Sequence, residues 1–346
     1  MQVIVENGGL LTTVQDLGRT GYERYGVPVS GAMDAPALEA ANLLVGNAPG
    51  EAGLEITLLG PTLRFDAPTV LAVTGADLGL NRNGQEIPPG RAFSVRPGDV
   101  VAFSGPRAGC RAYLAFAGGL LLDEVLGSRS TTTRFSIGGY QGRRLQKGDT
   151  LPLRRSVETL PGMSRRVFPQ ELPAQEIHTV RVLMGPQEDR FTQEGLNTFL
   201  REIYTVSAES DRMGYRLDGP AIAHKTDGNI ISDGIVTGSI QVPSDGKPIL
   251  MLADHQTVGG YTKIATVITA DLPILAQCRA GDRIRFSATD LETAQQELIA
   301  VRKRLRALQA RLSAPSAKQY RIHVGEQTFD VEIEQWEEST CVTKST

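Results

Sequence analysis

Short apolar runs rich in Val, Ile, Thr and Phe, each bounded by Gly, Pro or Asp, recur roughly every ten residues along the first third of the chain. They read VIV at 3–5, LEITLLG at 54–60, TLRF at 62–65, TVLAVTG at 69–75, FSV at 93–95, VVAFSG at 100–105 and RAYLAFAG at 111–118. β-Branched and aromatic residues between turn formers make strands, so the chain is held to a strand-rich fold. Helices are few. The clearest early one is DAPALEAANLLVG at 34–46, where Asp34 caps the start, Pro36 suits the first turn and Gly46 ends it.

The two halves echo each other. RPGDVVAFS at 96–104 matches RAGDRIRFS at 279–287, SGAMD at 30–34 faces SDRMG at 210–214, and VIVENG at 3–8 faces VRVLMG at 180–185. The separations are 183, 180 and 177 residues. Matches at a nearly constant offset point to a duplicated unit. The bland alternative is that Gly-Asp is common chemistry for starting a strand, and QKGDTLPL at 146–153 shows it recurring inside one half. With 346 residues, length alone allows about two domains. The expected organisation is mainly β, two strand-rich units in tandem: residues 1–155, a Pro- and Arg-rich linker at 156–177, and residues 178–288.

Two further elements follow. Leu291, Leu298, Leu305 and Leu312 recur every seven residues, interleaved by Ala294, Val301 and Leu308, which predicts a heptad-patterned helix over 289–313 capped by Thr289 with Glu292. Its seam either packs on its own domain or grips a second copy. Residues 319–338 alternate apolar and polar side chains across a Gly-containing turn, a hairpin that should add to another sheet because a lone hairpin is marginal in water.

Several functions are disfavoured. The net charge of −3 gives no electrostatic reason for nucleic acid or an anionic membrane as partner. No apolar stretch approaches the roughly 20 residues that span a bilayer, and the N-terminus lacks signal-peptide character. The three cysteines are isolated, so a cytoplasmic protein with reduced thiols is expected. There is no Walker A loop, Rossmann fingerprint or G-x-S-x-G elbow, and GGYQGRR at 138–144 is a weak phosphate loop. Four scattered histidines argue against a metal cluster.

Polar residues at strand ends remain. ADHQTVGGYTKIATV at 253–267 interrupts apolar runs with Asp254, His255, Gln256 and Thr257, then Gly259, Gly260 and Tyr261. Asp254 is a base or orienter, Gln256 can read an amide, Tyr261 supplies a hydroxyl, and the glycines let a ligand approach the backbone. A wide β-bulge is the structural alternative. Asp16 and Arg19 stand together as an ion pair, either stapling a turn or touching a ligand. Arg212 and Arg216 share a face at helix or strand spacing, so both could converge on one carboxylate or phosphate, or both could be solvated charge.

TTVQDLGRTGYERYGVPVSGAMD, AANLLVGN, LEITLLGP, SDRMGYRLDGP and DHQTVGGYTKIATVITADL together resemble the biotin-dependent carboxyltransferase, or allophanate hydrolase subunit 2, family. That family includes the C component of 5-oxoprolinase, a Kip-type antagonist of a sporulation-kinase inhibitor, and the carboxyltransferase domain of urea carboxylase. The resemblance runs over about residues 3–288. It implies tandem cyclophilin-like barrels and two protein partners, a Kip-type B component and an A component. It also implies ATP bound elsewhere in the complex and a planar amide substrate. The family pattern Q-T-T-G-G-Y-P is broken here by Val258 and Thr262. The tail resembles the lead-in of a biotinyl-carrier module but carries no attachment Lys, so biotin, if used, rides on another chain.

The resulting expectation is one part of a 5-oxoprolinase-type complex, with its pocket between the β units. Asp254, Gln256 and Tyr261 would be catalytic, and Asp16, Arg19, Arg212, Arg216, Thr257, Gly259 and Gly260 would bind substrate. The alternatives are carboxyl transfer from carboxybiotin to urea or a related amide, and a non-catalytic module that sequesters the Kip-type B component.

Overall fold

The computed structural model describes residues 1–169, 176–313, 317–324 and 327–334. The first half is built from β1 (Gln2–Asn7), β2 (Leu11–Gln15), α1 (Ala35–Leu44), β3 (Gly53–Thr57), β4 (Thr62–Phe65), β5 (Thr69–Asp77), β6 (Leu80–Arg82), β7 (Gln85–Glu86), β8 (Arg91–Val95), β9 (Val100–Phe103), β10 (Ala108–Phe116) and β11 (Thr150–Pro152). They form a six-stranded sheet, β11-β1-β4-β9-β6-β7, and a five-stranded sheet, β2-β3-β10-β5-β8. One core lies between the sheets, with Val3, Leu54, Ile56, Phe65, Leu71, Val73, Leu114 and Phe116 among its members.

The outer face of the five-stranded sheet is also buried. Val70 and Ala72 of β5 and Tyr113 and Ala115 of β10 pack against Leu38, Ala41 and Leu44 of α1, while their sequence neighbours point into the sandwich. A strand buried on both faces loses polar alternation, which is why TVLAVTG and RAYLAFAG are continuous apolar runs.

The second half comprises β12 (Ile177–Met184), α2 (Gln193–Arg201), β13 (Ile203–Val206), β14 (Gly214–Asp218), β15 (Asn229–Gly234), β16 (Ser239–Val242), β17 (Ile249–Met251), β18 (Val258–Val267), α3 (Leu272–Ala276) and β19 (Arg283–Ala288). Its sheet runs β12-β19-β13-β14-β17-β16-β18-β15, and a further β12–β18 pairing closes it into a barrel. β18 serves two sheets. Its last residues pair with β16 and β12 inside the barrel, while Val258–Tyr261 pair with the mostly exposed β15 as a projecting ribbon.

The architecture is mainly β, as expected, but the Gly-Asp echo has a local cause. Asp99, Asp149 and Asp282 each accept a hydrogen bond from the backbone N–H three residues back, at Arg96, Gln146 and Arg279. Each turn also docks reciprocally on a neighbouring strand, at Phe65, Val5 and Val206. Two of the three turns lie in the first half. Moreover β19 runs parallel beside β12, whereas β9 does not pair with β1. The motif is a shared way of starting a strand.

α4 (Leu291–Ser313) is capped by Asp290, whose Oδ1 accepts the Thr293 N–H at 2.7 Å, not by Thr289. Leu305 and Leu308 are buried in the α1 cluster, with Leu312 beside them, whereas Leu291 is exposed. The C-terminal part of the heptad seam is therefore consumed within the chain, so a dimer built along the whole seam is not available. Of the expected linker, residues 156–169 are pinned to the sandwich: Ser156 Oγ donates to the Pro68 carbonyl and Arg166 Nη1 to that of Leu44. Residues 170–175 fall outside the described residues. β20 (Ala317–Val324) and β21 (Gln327–Glu334) pair with each other and, among the described residues, with no other sheet. The remainder of the predicted hairpin, 335–338, lies outside the described residues.

Candidate functional site

The face of the five-stranded sheet covered by α1 extends past the helix, and there it meets the second half through polar side chains. Glu55 on β3 and Tyr113 on β10 stand opposite each other in register. Tyr113 donates its hydroxyl to Glu55 Oε2 at 2.9 Å, and the Met33 N–H adds a second bond at 2.8 Å. Glu55 also takes a charge-assisted hydrogen bond from Arg212 of the second half. Arg212 grips Asp254 with two more, Nε to Oδ2 at 2.9 Å and Nη2 to Oδ1 at 3.1 Å, and donates to the Gly31 carbonyl at 2.7 Å. One cation thus ties a loop of the first half, a sheet of the first half and a turn of the second.

A second bridge lies alongside. Arg111 donates from Nη1 to the Tyr215 hydroxyl and the Ala276 carbonyl, both at 2.8 Å. Gln277 accepts the N–H groups of Cys110 and Arg111, and its Nε2 donates to Asp34 Oδ2 and the Arg111 carbonyl, both at 3.1 Å. Burial pushes the Asp34 carboxyl up to about 6, against the lowering by the Ala37 N–H and Gln277. Asp34 and Gln277 also line a cavity of about 670 Å³ between α1, α3 and α4, with Arg181, Asp271, Glu297 and Arg304 on its walls. That volume suits a small ligand.

Asp16 and Arg19 do not pair with each other. Asp16 accepts from Ser128 Oγ at 2.7 Å, Ser130 Oγ at 2.5 Å, and the N–H groups of Gly18 and Arg129 at 2.8 and 2.6 Å. Arg19, 1% exposed, donates to Thr132 Oγ1 at 2.6 Å and to the Ser130 carbonyl. Together they anchor the loop that ends in GGYQG. Burial lowers the Arg19 guanidinium below its ordinary value, opposed by the charges of Asp16 and Asp254, which places the Arg19 and Arg212 clusters in one electrostatic neighbourhood. Ser30 joins them, through Oγ to Thr132 Oγ1 at 2.7 Å and through its N–H to the Ala253 carbonyl at 3.1 Å.

The 254–261 stretch divides in two. Asp254 to Thr257 form the connection from β17 to β18, so they interrupt no strand. His255 is buried and burial lowers its imidazole below the usual value; Nδ1 donates to the Gln256 carbonyl at 2.7 Å, leaving Nε2 to accept from Thr237 Oγ1 at 3.2 Å. The side chains of Gln256 and Thr257 are half-buried and make no hydrogen bond among the described residues. Val258 to Tyr261 belong to the ribbon, where Tyr261 is 40% exposed beside Val258 and near-fully exposed Ile231.

The fold therefore brings together Asp16, Arg19, Arg212, Asp254, Gln256 and Thr257 and leaves others outside. Arg216 is exposed beside Glu209 at 3.6 Å, while Arg212 is buried, because Arg212 precedes β14 and Arg216 alternates outward on it. The two guanidiniums do not converge. Gly259 and Gly260 have ordinary backbone angles; Gly259 lacks a side chain because a Cβ there would sit 2.6 Å from Gln241 Nε2 and Ile235 Cδ1. Glu55, Arg111, Tyr113 and Gln277 are not apparent from sequence motifs. A charged residue inside LEITLL and another inside GCRAYLAF are the available signals, since a charge in a fully buried strand needs a partner. The glycines of GGYQG are explained by close packing: Cβ atoms at 138 and 139 would meet the Ser130 carbonyl at 2.0 Å and Thr131 Oγ1 at 1.9 Å.

The profile of the carboxyltransferase domain, subdomains A and B, matches residues 25–288. The C subunit of Escherichia coli 5-oxoprolinase is 38% identical over 289 residues, 83% of this chain and 91% of the relative. The Haemophilus influenzae protein of the same name is 38% identical over 288 residues, covering 82% and 89%. Urea amidolyase of Saccharomyces cerevisiae is 35% identical over 305 residues, 83% of this chain but 16% of the relative. The crystal structure of K. lactis urea amidolyase superimposes with a TM-score of 0.83 at 33% identity, over 89% of this chain and 20% of that one. Among the described residues no helix is long and apolar enough to cross a membrane. With its two β units joined across a buried polar seam and its sequence matched from 25 to 288, the chain belongs to the carboxyltransferase family of subdomains A and B.

Proposed function

We propose that the chain is the C component of an ATP-dependent 5-oxoprolinase, opening 5-oxo-L-proline to L-glutamate together with an A component and a Kip-type B component. The observation that carries this reading is the match to the Escherichia coli C component over 91% of its length, against 16% of the yeast urea amidolyase. In this reading the chain supplies a positioning surface for a planar amide, with Gln256 and Thr257 reading it from the β17–β18 connection. Asp254 orients Arg212 and is not a free base, since both its oxygens are engaged. Asp16 and Arg19 hold the adjoining loop in place. ATP and the activating chemistry belong to the partner chains.

Glutamate release from 5-oxoproline and ATP, measured with this chain mixed with the A and B components, tests the proposal. Release that disappears when this chain alone is omitted, and that falls at least tenfold with Gln256→Ala, supports it. An assembled complex without release sinks it. The superposition on urea amidolyase favours one second reading, transfer of a carboxyl group from biotin carried on another chain to an amide acceptor. That reading requires inhibition by avidin, which the oxoprolinase reading does not.

A further inference from the structure

The fold assembles a mixed cluster that no spacing in the sequence reveals. His178 lies on β12, Cys278 follows α3, and Asp282 immediately precedes β19, and one ligand atom from each lies within 4.8 Å of the others. The parallel pairing of β12 with β19, His178 opposite Ile284, carries the histidine to within two residues of Asp282 across about a hundred residues of chain. The His178 side chain is 9% exposed and its Nδ1 is buried with no hydrogen-bond partner; its Nε2 is 4.0 Å from Asp282 Oδ2, beyond hydrogen-bond reach. A buried ring nitrogen without a hydrogen bond, here Nδ1, is costly, while Nε2 is the nitrogen that faces Asp282. Cys278 is 1% exposed, and its Sγ makes a weak 3.3 Å contact with the Ile274 carbonyl.

We propose that His178, Cys278 and Asp282 form a binding site for a borderline-soft divalent cation, with zinc the natural occupant. An imidazole, a thiolate and a carboxylate are zinc's ligand types, and three protein ligands leave a fourth position for water. Hard cations such as magnesium and calcium are disfavoured by the sulfur and nitrogen. Tetrahedral zinc holds its ligand atoms about 3.3–3.8 Å apart, so the cluster closes by roughly 1 Å through side-chain rotation. Asp282, 27% exposed at its side chain, gives the ion a way in from solvent. On binding, the Cys278 thiol loses its proton to the buffer and the sulfur takes a bond to the metal, with no change of oxidation state. The site stands next to Gln277, whose amide bridges to Cys110, Arg111 and Asp34, so an ion there would brace one end of the seam between the halves.

The test titrates cobalt(II) into the full, metal-free chain and follows thiolate-to-cobalt charge-transfer absorption, with zinc then added as competitor. The expected result is one equivalent bound, displaced by zinc, with the band abolished in Cys278→Ser and affinity weakened at least tenfold in Asp282→Asn and His178→Ala. Cys110→Ser, the nearby thiol, should keep the band. Thermal unfolding should shift upward with zinc in the natural chain and not in Asp282→Asn, whose amide oxygen can still accept the Arg279 N–H that holds the turn before β19. Absence of a charge-transfer band, a band that survives Cys278→Ser, or one lost with Cys110→Ser would overturn the proposal.

Discussion

Asp34 performs two tasks that pull its chemistry in opposite directions. As N-cap of α1 it accepts the Ala37 N–H at 3.0 Å, which favours the charged form, yet it is buried at the seam, which does not. Burial wins, and the carboxyl rises from an ordinary 3.8 to about 6. The consequence for stability has a definite sign. Between those two values the folded chain holds a proton that the unfolded chain has released, so stability is greatest below about pH 4 for this group and is lost as pH rises through 6. The full difference is about 3 kcal/mol at 1.36 kcal/mol per pH unit. Urea denaturation of the natural chain at pH 4.5 and 7 should thus show a falling contribution that Asp34→Asn removes. An unchanged pH slope in Asp34→Asn would show that the charge is compensated by the seam.

At the level of elements, β18 explains both what is visible in the sequence and what is hidden there. Its alternation and its Gly-Gly pair are visible, but their meaning depends on which neighbour each residue faces. From its sequence context Gly259 suggests an approach for a ligand, whereas it makes room for Gln241 and Ile235. Gly259→Ala should therefore cost about 1 kcal/mol, since the ends of the Gln241 and Ile235 side chains must shift, while Gly260→Ala, whose Cβ would meet nothing closer than 3.5 Å, should be nearly neutral. Equal effects in thermal unfolding would contradict this assignment. The same limit governs the rest of the site. Strand content, the first helix with its Asp34 cap, and the polar character of 254–257 are legible because they depend on near neighbours in sequence. Glu55 with Arg212, or Gln277 with Cys110, are not, because each pair is brought together by sheet register and by the meeting of two halves. Arg216 misleads for the same reason: a spacing of four fits several faces until the strand is placed.

Across the whole molecule, the seam couples two β units that each own a hydrophobic core. Met33 crosses into the second core, but the principal ties are charged and buried: Glu55, Arg212 and Asp254 on one side, Arg111, Tyr215 and Gln277 on the other. Such groups are weak sources of net stability when complete and severe liabilities when broken, because the remaining charges have no water. Removing Arg212 leaves Glu55 and Asp254, 1% and 8% exposed at their side chains, without their shared cation. Arg212→Ala should cost about 3–5 kcal/mol, and the loss should fall on the junction more than on either core. Calorimetry then gives a specific expectation. The natural chain unfolds in one transition with matching calorimetric and van't Hoff enthalpies, whereas Arg212→Ala separates into two transitions. Arg216→Ala, at an exposed position on the following strand, should leave the trace unchanged. A single, merely shifted transition in Arg212→Ala would mean that the contacts left across the seam, the Arg111, Tyr215 and Gln277 bridge among them, suffice to couple the halves.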